Sequence, residues 1–196
     1  MAKRKALSGL PSSAPGNSTR LSRRAYAADS ASLAVSLLGC RLVRVLDDGT
    51  RLSGIIVETE AYTGIEDQAS HAFGGRRTPR NESMYAQPGT AYVYFTYGMH
   101  FCMNVVCGDE GEPVAVLLRA LEPVEGIEQM VQRRNAGRTL KVPITESQLC
   151  NGPGKLCQAM GIDRALNGVD LVTSDRLFIE RIESKARRQA IAPGIV

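Results

Sequence analysis

Between residues 88 and 106 the chain alternates apolar and polar side chains in two runs separated by one glycine, Gly98. Tyr92 and Tyr94 interleave with Val93 and Phe95, and beyond the glycine Phe101, Met103 and Val105 interleave with Cys102 and Asn104. A period of two broken by a glycine predicts a β-hairpin. The turn is drawn as Thr96, Tyr97 and Gly98, with the glycine in the left-handed conformation that it reaches without steric cost. An odd loop length puts Tyr92, Tyr94, His100, Cys102 and Asn104 on one face. Tyr97 is left at the tip, where a large ring is costly in water unless something receives it.

The same patterning organises the rest of the chain. Asp29 or Ser30 caps a short helix through Leu33, Ala34, Leu37 and Leu38, stopped at Gly39. Strands over 41–46 and 51–60 meet at Asp47, Asp48 and Gly49, a hairpin turn signal. Residues 63–87 are polar and contain Gly74, Gly75 and Pro79; a long loop of this kind is usually functional. An apolar strand follows over 113–120. Glu122 and Pro123 then open a helix that reaches about Arg134, with Val124, Ile127, Met130 and Val131 as its inner stripe. Arg133, Arg134, Arg138 and Lys141 follow in a loop. A short helix over 153–160 stops at Gly161, and one or two strands within 171–182 close the pattern. The expected fold class is α+β: a single mixed domain with a curved, mainly antiparallel sheet, short surrounding helices and a protruding hairpin.

Composition changes this picture in three places. At 196 residues, with 43% hydrophobic and 22% charged side chains, one domain with an ample core is expected. The net charge of +4 favours a polyanionic partner. Residues 1–24 are Ser/Pro/Gly-rich, carry Lys3, Arg4, Lys5, Arg20, Arg23 and Arg24, and contain no acid. They are expected to form a disordered tail, leaving 25–196 as the domain. Three uses fit such a tail: plain solvation, sequence-independent attraction to phosphates, or an organellar address. No apolar run reaches membrane-span length. Cys40, Cys102, Cys107, Cys150 and Cys157 show no paired metal spacing, and the chain has two histidines; neither a metal site nor a cofactor is expected.

If the strand over 51–60 runs on, Glu58, Glu60 and Tyr62 share a face. Arg119 ends an apolar strand, where an unpaired guanidinium would be expensive, so a carboxylate partner is expected, Glu58 or Glu122 among them. Gly152, Pro153, Gly154 and Lys155 put free backbone N–H groups beside a lysine, which suits a phosphate.

Five runs taken together resemble the alkyladenine (3-methyladenine) DNA glycosylase family: VETEAY at 57–62, HAFGGRRTPRN at 71–81, the hairpin at 88–106, LLRALEP at 117–123 and NGPGKL at 151–156. The similarity covers roughly residues 31–178. It implies a monofunctional base excision repair enzyme that flips alkylated or deaminated purines out of duplex DNA and hydrolyses the N-glycosidic bond. In that reading Glu60 is the general base, Arg119 helps position the water, and Glu58 is structural. Tyr62, His71 and Tyr94 form the aromatic base pocket, and Asn104 crowds the exocyclic amine of guanine. Tyr97 fills the vacated stack with Met99 beside it, while Arg76, Arg77, Arg80 and Lys155 meet the DNA backbone. His100 lies outside the pocket as a solvated strand residue. No lysine or N-terminal proline sits in the matched catalytic motif, so no Schiff-base step is suggested. The partner implied is double-stranded DNA containing damaged purines, met by a monomer inside the cell, in the nucleus or a bacterial cytoplasm.

One departure accompanies the resemblance. The family continues beyond a Gly-Val or Gly-Ile segment into a further strand, whereas this chain stops at Val196. Ile195 is matched to the carbonyl that helps hold the water, and an open sheet edge is expected where that strand would lie. A rival reading is a non-catalytic damaged-DNA-binding protein on the same scaffold, against which the retention of Glu60 and Arg119 argues. An RNA-binding domain would have little use for the Tyr97 wedge.

Overall fold

The structure, a computed structural model, describes residues 18–137 and 143–182. Among the described residues, period-two alternation becomes seven strands: β1 (Ser18–Arg20), β2 (Arg41–Val45), β3 (Arg51–Tyr62), β4 (Ala91–Thr96), β5 (His100–Cys107), β6 (Val114–Glu125) and β7 (Leu177–Ile182). They form one open sheet in the order β1-β7-β2-β3-β6-β5-β4. Every neighbouring pair is antiparallel. Around it lie α1 (Arg23–Tyr26), α2 (Ser30–Leu37), α3 (Ile127–Asn135), α4 (Glu146–Leu149) and α5 (Pro153–Met160). The α+β expectation holds.

Alternation decides what each face buries. Ala91 and Val93 on β4, Met103 and Val105 on β5, and Val116 and Leu118 on β6 enter one core with Leu33 and Leu37 of α2, Met130 of α3 and Leu156 and Met160 of α5. Each fully buried Val, Leu or Met side chain among these stabilises the fold by about 1.5–3 kcal/mol. The residues between them, among them Tyr92, Asn104 and Leu117, turn to the opposite face. Helix α2 forms where expected: the Asp29 carboxylate accepts from the Ser32 N–H at 2.9 Å. Gly39, at φ +77°, turns the chain out of it.

Three expectations are corrected. The helix drawn from Glu122 begins later, because β6 continues to Glu125 and α3 starts at Ile127. Pairing with β3, Ser53 to Glu125 and Gly54 to Pro123, outweighs the helical period. Pro123 is tolerated because β5 accompanies β6 only as far as Leu117, so its missing N–H faces no neighbouring strand there.

The tail expected over 1–24 ends earlier. Ser18, Thr19 and Arg20 pair with Ile182, Arg181 and Glu180. The Arg20 guanidinium lies 3.9 Å from the centroid of Phe178. Arg23 donates to the Pro88 carbonyl at 2.7 Å and to Asp170 at 2.6 Å. Basic residues that composition marks as solvated therefore dock on the domain, and β1 pairs along one edge of β7. Residues 1–17, Arg138, Lys141 and Ile195 lie outside the described residues.

The third correction is a shift of one residue in the central hairpin. Thr96 pairs with His100, so the loop is Tyr97, Gly98 and Met99. Its length stays odd, and the expected sharing of faces survives.

Candidate active site

One register row assembles most of the site. Glu60 on β3 faces Leu117 on β6, Leu117 faces Asn104 on β5, and Asn104 faces Tyr92 on β4. Residues paired in this way project from the same face of a sheet. Tyr62 and Tyr94, two positions along from Glu60 and Tyr92, join them by the same alternation.

At the carboxylate end, Arg119 donates from Nη1 to Glu60 Oε2 at 2.5 Å and from Nε to Glu58 Oε1 at 2.7 Å. The ladder is irregular there. Glu58 pairs with Ala120 and Thr59 with Leu118, so Arg119 has no residue opposite it. Such a bulge re-aims a side chain. The hydrogen bond to Glu58, then the charge of Glu60, holds the Arg119 pKa above its ordinary value. The structural partner expected for Glu58 is thus the same arginine that meets Glu60.

The aromatic end is a narrow pocket lined by Tyr62, Ala69, His71, Met84, Tyr92, Tyr94 and Asn104. Burial, followed by the hydrogen bond to Glu60, raises the Tyr62 pKa, and burial raises that of Tyr94. Burial pushes Tyr92 up to about 12. All three rings are therefore neutral near pH 7 and present flat apolar faces. His71 meets Tyr94 edge-on with 4.5 Å between centroids. Its Nδ1 shares a hydrogen bond with the Tyr92 hydroxyl at 2.8 Å. Asn104 is buried and donates to the Tyr92 carbonyl at 3.3 Å.

Tyr97 and Met99 stand at the hairpin tip, 90% and 71% exposed. The basic residues divide. Arg76 is exposed; Arg80 is exposed too, donates to the Phe95 carbonyl at 3.1 Å and so ties the long loop to the hairpin. Arg77 differs: it makes two bonds to Glu82, at 2.5 and 3.0 Å, and lies 4.4 Å from the centroid of Tyr85. Lys155 donates to Asn151 at the start of α5. That start packs against the hairpin just below its loop, where a Cβ on Gly154 would come within 3.1 Å of His100. His100 is accordingly half-buried, not solvated as expected.

The family profile described as methylpurine-DNA glycosylase (MPG) matches residues 24–194. The chain belongs to the methylpurine-DNA glycosylase family. A DNA-3-methyladenine glycosylase of Mus musculus is 47% identical over 189 residues, 92% of this chain and 55% of its own length. One from Homo sapiens is 48% identical over 172 residues, 87% of this chain and 57% of its own. The chain thus spans little more than half the length of these mammalian relatives. A protein of Desulfitobacterium hafniense (strain Y51) is 52% identical over 163 residues, 82% of this chain and 78% of its own length.

Two residues that shape the site went unassigned in the sequence. Tyr92 floors the pocket and holds His71; its alternation with Tyr94 was the available signal. Asn81, only 1% exposed, organises the loop carrying His71 and the arginines. Its Nδ2 donates to the carbonyls of His71 and Arg76 at 3.1 and 2.8 Å. Its Oδ1 accepts from the N–H and hydroxyl of Thr78 at 2.7 and 3.0 Å. All four hydrogen-bonding positions of the amide are filled. Nothing in the composition of a polar loop singles out such a hub.

Proposed function

We propose that this chain is a monofunctional DNA glycosylase of base excision repair. A monomer docks on double-stranded DNA and rotates an alkylated or deaminated purine into the pocket of Tyr62, His71 and Tyr94. Tyr97 fills the gap from the hairpin tip with Met99 beside it, and Asn104 crowds the exocyclic amine of guanine. Stacking on aromatic faces contributes about 1–3 kcal/mol per base and tolerates different purines. That suits lesions such as 3-methyladenine, 7-methylguanine, hypoxanthine and ethenoadenine, which share altered electronics more than shape. A water held between Glu60 and Arg119 then attacks C1′. Its oxygen forms the new bond, the C1′–N bond breaks with its electron pair leaving on the purine, and the water's proton passes to Glu60. The products are the free base and an abasic site. The enzyme works inside the cell, where the DNA is, as one glycosylase domain.

The observation that carries this reading is the Glu60–Arg119 pair, set at 2.5 Å beside an aromatic pocket. Single-turnover incubation with ethenoadenine or hypoxanthine duplexes, followed by alkaline strand cleavage, tests it. Glu60→Gln should bind the lesion within a few-fold of wild type while excision falls by roughly 10²–10⁴-fold, because an amide cannot take the water's proton. Excision near the wild-type rate would remove Glu60 from the role.

A further inference from the structure

Glu58 stands next to the reacting groups yet takes no part in the steps above. The bulge leaves Val57 on β3 and Arg119 on β6 without partners opposite, and Arg119, two positions on from Leu117, projects from the face shared by both glutamates. The two carboxylates hold different nitrogens: Nε goes to Glu58 at 2.7 Å and Nη1 to Glu60 at 2.5 Å. A guanidinium is rigid and planar. With a single bond it can swing about that bond, whereas two bonds from different edges set its plane. Of its five N–H donors, these two are committed, so three remain for a water or a phosphodiester.

We propose that Glu58 is a positioning residue for Arg119: its carboxylate grips the Nε edge so that the Nη edge meets Glu60 and the attacking water. The inference rests on the glycosylase reading of the same site. A purely stabilising role is the competing explanation, and it predicts something different. The Glu58 and Arg119 side chains are 50% and 37% exposed, and ion pairs that wet contribute little to folding. Orientation acts elsewhere, since a displacement of about 1 Å at a reacting group costs on the order of 10²-fold in rate. Docking on DNA would also exclude water and strengthen both bonds.

The test compares wild type, Glu58→Ala, Glu58→Gln, Arg119→Ala, Glu58→Ala with Arg119→Ala, and Glu60→Gln on one ethenoadenine duplex. Single-turnover cleavage, lesion binding and melting temperature are read for each. Glu58→Ala should slow cleavage roughly 10- to 100-fold while binding stays within about three-fold and the melting temperature holds. Glu58→Gln, which keeps an oxygen to accept from Nε, should recover most of that loss. The double variant should be no slower than Arg119→Ala, because Glu58 acts only through Arg119. Losses that multiply in the double variant, or Glu58→Ala cleaving at the wild-type rate, would overturn the assignment. So would a Glu58→Gln as inactive as Glu60→Gln, which would give the Glu58 carboxylate a chemical role of its own. A Glu60→Gln that still cleaves while the Glu58 pattern holds overturns only the choice of base. A wild-type chain that cleaves nothing overturns the glycosylase reading and this assignment with it.

Discussion

At His71 one imidazole nitrogen faces the Tyr92 hydroxyl while Tyr94 closes over the ring edge-on. Burial first, then the charge of Arg80, holds the His71 pKa below its ordinary 6.5. The sign of the pH effect follows. Below about pH 6.5 the unfolded chain takes up a proton that the folded pocket resists. The stability contributed by the neutral ring is therefore complete above that pH and is lost as pH falls toward the depressed native value. Wild type should melt progressively lower between about pH 7 and pH 5, and His71→Gln, which cannot titrate, should flatten the part of the slope near pH 6. Melting curves recorded across that range decide it: parallel profiles for the two proteins would mean that His71 does not carry the effect. The residue's place in the aromatic pocket was legible from its motif, whereas its lowered pKa comes from neighbours outside that motif's first positions.

The hairpin shows what one element decides by itself. Tyr97 at φ +50° and Gly98 at φ +66° both lie in the left-handed region, and Met99 returns an N–H to the Thr96 carbonyl at 3.2 Å. Pattern reasoning gives a left-handed turn position to glycine alone and so places the loop one residue early. A tyrosine held there costs on the order of 1–2 kcal/mol, and its ring is offered to solvent. Tyr97→Ser should relieve the exposed ring, leave the chemical step untouched and weaken capture of the flipped nucleotide. The loss should be largest for a well-paired lesion and smallest for a mispaired one, where little unpairing energy is left to supply. Stopped-flow fluorescence of ethenoadenine duplexes separates flipping from cleavage. Equal losses in both contexts, or a loss confined to cleavage, would show that Tyr97 is not the wedge.

Across the whole molecule, charge is modest in sum and uneven in use. The net +4 includes arginines that are already committed, among them Arg23 to Asp170, Arg51 to Glu125 and Glu180, and Arg77 to Glu82. Arg76 and Arg80 are exposed, Arg80 bonded to the hairpin, and neither forms an ion pair among the described residues; Lys155 bonds only a neutral amide there. Binding to undamaged duplex should weaken steeply with salt through counterion release. Arg76→Ala, Arg80→Ala and Lys155→Ala should each lower the slope by about one, and Arg77→Ala by clearly less, since its guanidinium already has a carboxylate. Titrations by fluorescence anisotropy at several salt concentrations measure these slopes. A slope unmoved by the first three would take them off the interface.

Local chemistry determined much of this protein. Period-two alternation at 91–96 and 100–105 is enough to build the hairpin, and its odd loop places Tyr92, Tyr94 and Asn104 on one face wherever the turn falls. Asp29 and Gly39 bound α2 because capping needs only neighbours a few residues away. Glu58, Glu60 and Tyr62 share a face by strand geometry alone, and the motifs told which of the two carboxylates to follow. The tertiary structure decided whatever depends on partners far along the chain. Long-range pairing kept β6 extended past Pro123 although its side chains repeat like a helix. The edge of β7 drew Ser18–Arg20 out of a segment that reads as tail. The bulge at Arg119, whose guanidinium meets two glutamates, and the carbonyls that make Asn81 a hub, arise where strands and loops meet. A single stretch of sequence carries no record of what will lie across from it.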